Sequence, residues 1–195
     1  MKPTSFLLSL TATLLLATAL PVAAQQKNSP QKLIPAQSDI GFTFKQMGVP
    51  VEGHFKNFNA QINFDASKPA ASNVAFTVDI ASATLGSPET DAELPKAVWF
   101  NTAKFPQATF VSSGFKALGA GKYEVAGKLS IKGQSRDVVV PVIMTQSGAV
   151  TMAVGVFPIK RLGFKIGENE WADTSMVADD VQVKFKLALT GVSKL

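Results

Sequence analysis

Apolar and polar positions alternate along most of this chain. In 38–46 (SDIGFTFKQ), Ile40, Phe42 and Phe44 share one side, and Gly41, Thr43 and Lys45 the other. A period of two marks a strand with one face buried. The same pattern returns in 51–58, continues through Ile62 and Phe64, and is clean in 73–80, where Val74, Phe76, Val78 and Ile80 coincide. It recurs in 108–115 and 122–131, more weakly in 136–144, and again in 149–157 and 180–190. In 149–157 the apolar set is Val150, Met152, Val154 and Val156. Pro141 interrupts 136–144, which predicts an edge or a bulge there. Turns fall at Met47–Pro50, 65–72, Lys132–Ser135 and Ser147–Gly148, where Gly, Pro and polar residues cluster.

Two stretches do not alternate. SPETDAELPKAVWF (87–100) predicts a short helical crossover, with Ser87 or Thr90 as cap and Pro95 ending or kinking it. PIKRLGFKIGENEWADTS (158–175) is polar, Gly-rich and loop-like. About eight strands, one short helix and no βαβ rhythm predict an all-β, mostly antiparallel domain. Such a sheet either closes into a barrel or stacks as a sandwich, and the alternation alone fits both.

The amino-terminal 24 residues differ from the rest. Lys2 is followed by an apolar run from Phe6 to about Leu20, and Val22 and Ala24 stand three and one positions before Gln25. This is the layout of a signal peptide cut after Ala24. The run is short for a membrane anchor, which needs ~20 apolar residues. Residues 1–24 are therefore expected to be a signal peptide, 25–34 a flexible leader and 35–191 the folded domain, in the periplasm or, as the alternative, secreted. There are 0 Cys, so disulfides play no part.

Composition narrows the chemistry. The net charge is +5, with lysines dispersed and no basic block, so no nucleic-acid partner is expected. Phe counts 14 against 1 Tyr and 2 Trp, which predicts an interior poor in polar handles. Two interiors fit: a core filled by interdigitating rings, or an open centre holding an apolar ligand. With 1 His and 0 Cys the common zinc ligand sets are missing. His54 reads as a solvent-facing imidazole. Glu168, Glu170 and Asp173 lie in a charged loop with Lys160, Arg161 and Lys165 and read as solvated and partly ion-paired. An acid/base role for them would require a raised carboxylate pKa beside an apolar pocket. No cofactor is expected.

Four segments in order carry a resemblance. They are PAQSDIGFTFKQMGVPVEGHFKNFNAQINFD (35–65), KFPQATFVSSGF (104–115), GKLSIKGQSRDVVVPV (127–142) and PIKRLGFKIGENEWADTSMVADDVQVKFKLAL (158–189). Together they resemble the YceI-like family of exported, lipocalin-like polyisoprenoid-binding proteins. The resemblance implies an extended eight-stranded antiparallel barrel with a helical crossover. It implies no catalysis, but an apolar cavity for a polyprenyl lipid such as an isoprenoid quinone. Carried onto this chain, the ligand-binding candidates are Phe42, Phe44, Met47, Phe76, Phe110 and Phe185, with Trp99 and Trp171 near openings. A homodimer and transient contact with a membrane surface are both compatible with it. Gln37 and Gln46 stand where many relatives carry His, so head-group preference is expected to differ.

Overall fold

The computed structural model describes residues 30–195; the expected signal peptide over 1–24 and the start of the leader lie outside the described residues. Eleven strands follow in chain order: β1 (Lys32–Leu33), β2 (Asp39–Gln46), β3 (Val49–Phe55), β4 (Phe58–Asn63), β5 (Asn73–Asp79), β6 (Ala83–Thr84), β7 (Gln107–Gly119), β8 (Lys122–Ile131), β9 (Gln134–Ser147), β10 (Val150–Lys160) and β11 (Asp180–Thr190). One α-helical turn, α1 (Pro88–Asp91), stands in the crossover between β6 and β7. It ends well before Pro95. Ser87 is its N-cap, but the hydroxyl turns to Glu89 Oε2 rather than capping a backbone N–H.

Every pairing is antiparallel, and the ladder runs β4-β5-β7-β8-β9-β10-β11-β2-β3-β6, with β1 also on β11. The hydrogen-bonded sheet is thus an open half-barrel of eleven strands, not the closed eight-stranded barrel expected. Two of the extra strands, β1 and β6, are two-residue edges too short to show a period. The third arises because β3 and β4 part at Lys56–Asn57. There Lys56 N–H donates to Ser82 O, and Asn57 O accepts from Asp79 N–H.

Tight turns set the register. Met47 and Gly48 (φ 49° and 80°) join β2 to β3, and Lys132 and Gly133 (φ 47° and 72°) join β8 to β9. Two consecutive positive φ angles match the right-handed twist of the flanking strands. That fixes which residues face in. Ile40, Tyr123, Val125, Leu129, Val140, Met144, Ala153, Phe157, Leu187 and Leu189 are buried.

On β10 the sides are the reverse of the hydrophobic expectation. Thr151, Ala153, Phe157 and Ile159 are buried, whereas Val154 and Val156 are exposed. Period two identifies which residues share a face; the curl of the sheet decides which face is inside. On the inner side Gly155 stands opposite Phe185, the one ring on β11. Thr151 is 0% exposed, and its hydroxyl has no hydrogen-bond partner.

Candidate functional site

Because the sheet curls, the inner faces of β2, β4, β5, β7, β8, β9, β10 and β11 converge on one apolar interior. A cavity of about 160 Å³ lies among Ile62, Phe76, Phe110, Phe115, Met144 and Phe185, and Thr109 is the one polar residue on its wall. A second, of about 140 Å³, lies among Phe42, Phe44, Phe55, Leu94, Trp99 and Ile166. Ile40, Val78, Ala108, Leu129, Phe157 and Val183 border both, so the two cavities are neighbours in one apolar interior.

Three glycines explain why large rings leave space. Phe42 pairs with Gly53 across β2 and β3, and Phe185 with Gly155 across β10 and β11. A β-carbon on Gly53 would stand 2.7 Å from Phe42 Cε2, and one on Gly155 would stand 2.8 Å from Phe185 Cε1. One on Gly127 would stand 2.5 Å from Phe110 Cζ. The tip of each ring lies over bare backbone. Phe42 also packs on Phe55 at 5.2 Å and on Phe44 at 6.3 Å between centroids.

One end of the lumen is covered by the crossover and the segment between β10 and β11. Val98 O accepts from Gly167 N–H (2.9 Å) and Glu168 N–H (3.2 Å), and Trp99 meets Trp171 at 5.2 Å. Two cations hold this cap. Lys132, 6% exposed, donates to Val98 O and Lys165 O, and reaches Glu168 Oε2 at 3.1 Å. Arg161, 2% exposed, donates to five backbone carbonyls: Ala178, Ile166, Gly167, Trp171 and Val177. A guanidinium has five N–H groups, and each finds an acceptor. Burial pushes its pKa down, and the nearby Asp179 carboxylate pushes it back up.

The charged-loop expectation is corrected for these residues. Arg161 is not a solvated ion-pair partner, and Lys132 is not an ordinary surface turn. Glu168 pairs with Lys132, and Lys160 pairs with Asp180 at 2.7 Å. Glu168, Glu170 and Asp173 line neither cavity. Hydrogen bonds from Ser175 lower the Asp173 pKa, the direction opposite to that an apolar-pocket acid needs. His54 is half exposed, and its Nδ1 lies 2.9 Å from Asp39 Oδ1. Among the described residues, no group of three or more His, Cys, Asp or Glu is placed to hold a metal.

Of the ligand-binding candidates, Phe76, Phe110 and Phe185 line the first cavity, and Phe42, Phe44 and Trp99 the second. Trp171 reaches the wall through Trp99. Met47 sits on the β2–β3 turn, 68% exposed, and borders neither cavity. Sequence reasoning missed Lys132, Arg161 and the three glycines. A glycine in phase with buried residues, as at Gly53 and Gly127, is the signal that was available.

The YceI-like domain model matches residues 32–189. A UPF0312 protein of Azotobacter vinelandii is 34% identical over 102 residues, 52% of this chain and about half (53%) of that protein's length. Protein YceI of Salmonella arizonae is 31% identical over 191 residues, 94% of each chain. Among solved structures, Burkholderia cenocepacia BcnA is 46% identical, with a TM-score of 0.78 over 80% of this chain and 98% of that one. A domain from Saccharophagus degradans, described as polyisoprenoid binding and implicated in plant cell wall breakdown, shares the fold at 16% identity. Its TM-score is 0.66, over 83% of this chain and 98% of that one.

Proposed function

The chain belongs to the YceI-like family, and on that premise we propose that it is a non-enzymatic binder of an isoprenoid lipid. It carries or stores that lipid in the periplasm after export through residues 1–24. The polyprenyl tail, such as that of an isoprenoid quinone, lies along the lumen. Phe42, Phe44, Phe76, Trp99, Phe110 and Phe185 form its wall, and Trp171 backs Trp99 at the capped end. Counting β3 and β4 as one bent strand and setting aside the two-residue edges, the wall numbers eight strands.

The observation that supports this reading is the pair of neighbouring cavities with almost wholly apolar walls, beside which three rings lie over glycines. The polyisoprenoid-binding description of the Saccharophagus domain agrees with it. Burial supplies the driving force, at about 0.8 kcal/mol per methylene removed from water. The test is to express the full chain in a Gram-negative host, purify the protein from the periplasmic fraction, and analyse a solvent extract by mass spectrometry. A polyprenyl lipid at near-stoichiometric yield is expected. Protein that carries none, and takes up none when offered polyprenyl quinones, refutes the proposal.

A further inference from the structure

We propose that the apolar tail enters the lumen sideways, through a seam between β9 and β10, with the Phe185 ring as the gate. This rests on the lipid-binding reading and adds the route by which the site fills.

The seam is an interruption in the wall. β9 and β10 pair only from Ser147↔Val150 to Ile143↔Val154. Beyond that point β9 stays with β8 as far as Gln134, and β10 stays with β11 as far as Lys160. Between them no further ladder forms. Pro141, which has no N–H to donate, stands at the fork on one side, and Gly155, which has no side chain, on the other.

A groove of about 380 Å³ lies outside this fork, floored by Pro141, Ile143, Val154, Gly155, Val156 and Phe185 and bordered by Asp39, Lys184 and Lys186. Phe185 also lines the inner cavity. The Phe185 ring, with the Pro141 carbonyl set close against Gly155 beside it, therefore separates the outer groove from the lumen. It rests on Gly155, where any β-carbon would collide with it. Swinging the ring is a side-chain motion and breaks no strand pairing, so it is fast compared with opening a ladder.

The two ends of the lumen are harder to open. At the capped end, five carbonyl bonds to Arg161 and the contacts of Lys132 must be given up. At the opposite end Phe64 packs on Tyr123 (5.3 Å) and Phe115 (5.8 Å), and the Gln31 side chain is bonded to both N–H and C=O of Phe64. The seam also has an apolar approach. Val139, Ile143 and Val156 are 59%, 46% and 53% exposed on its outer rim. Exposed apolar patches of this kind mark places where ligands or lipids come in.

With 0 Cys in the chain, one introduced Cys can be modified selectively. Val156→Cys, coupled to a PEG-maleimide, covers the groove without touching the lumen. Val111→Cys, equally exposed but on β7, carries the same label away from it. Menaquinone-4 is supplied in phosphatidylcholine vesicles, and loading is followed by quenching of Trp99 and Trp171. The label at Val156→Cys is expected to slow loading at least tenfold, with the same final occupancy, and the label at Val111→Cys to leave the rate unchanged. Phe185→Leu is expected to load several-fold faster. Equal rates for the two labelled proteins overturn the portal. A Phe185→Leu rate equal to that of the unmodified chain removes Phe185 as the gate. If the unmodified protein takes up no quinone, the lipid-binding reading falls, and the portal with it.

Discussion

The glycine seats make a quantitative prediction. In Gly53→Ala, the new methyl would stand 2.7 Å from Phe42 Cε2 and 2.8 Å from Leu85 Cδ2. Carbon atoms rest at about 3.5–4.0 Å, so the ring must retreat by roughly 1 Å toward the lumen. Phe42 is already held by Phe44 and Phe55, and overpacking of this kind costs about 1–3 kcal/mol. Gly53 does not hold a positive φ, so the alanine recovers about 0.4–1 kcal/mol from a stiffer unfolded chain. The net expectation is a loss of about 1–2 kcal/mol in urea unfolding. The obstructing atoms are all side-chain atoms, so Phe42→Leu should relieve most of the collision. In a double-mutant cycle the two changes should couple by about 1 kcal/mol or more. Gly127→Ala is the contrast. Its methyl would meet Phe110 and also the Val111 carbonyl at 2.6 Å, which is backbone, so Phe110→Leu should rescue it only in part. Additive effects at Gly53 and Phe42, within about 0.5 kcal/mol, would refute the seat as the cause of the ring's position.

Three further outcomes are expected. Arg161→Met, which strips five buried carbonyls of their donors, should cost about 3–5 kcal/mol in chemical denaturation, and Arg161→Lys should recover little of it; a lysine variant as stable as the parent would mean that charge alone matters there. Thr151→Val removes a fully buried hydroxyl without a partner and should be neutral or stabilising by up to about 1 kcal/mol in thermal unfolding, whereas a clear loss would show that the hydroxyl is satisfied. Glu52, hydrogen-bonded by Lys184, and Asp91, hydrogen-bonded by Thr84 and Leu85, have folded pKa values below their ordinary ones; their stabilisation is complete above the unfolded pKa of about 4 and is lost as pH falls through the folded values, so urea midpoints should hold from neutral pH to about pH 5 and then drop, less steeply in Asp91→Asn.

The strands were the legible part of the fold, for a local reason. In β8 and β11, alternation and punctuation by turn residues set the ends, and the expected bounds 122–131 and 180–190 coincide with the structure. Alternation could not say which side is inner. On β10 Val154 and Val156 proved to be outside, while Ala153, Phe157 and Ile159 face inward and Gly155 stands opposite Phe185. The cations were misread for a different reason. The five carbonyls around Arg161 come from 166–178, and they converge only once β10 and β11 are paired. No local pattern in KRLGF distinguishes that arginine from a surface one.

The choice between a filled core and a lumen was illegible for a related cause. Composition counts rings but not what they lie against. A ring with no glycine within its reach is held away from the wall and fills the centre. A ring whose tip can settle over a glycine stays nearer the wall. Which case holds depends on register, and the partners here are far apart in the chain: Gly53 for Phe42, Gly155 for Phe185. The register that sets Gly53 under Phe42 follows from the two-residue turn at Met47–Gly48, whereas that of Gly155 and Phe185 belongs to the β10–β11 ladder, whose strands are joined by residues 161–179. Inserting one residue at Met47–Gly48 would therefore move Gly53 from under Phe42 and set a β-branched or charged neighbour there. On this argument the openness of the interior is a property of turn length as much as of the rings that line it.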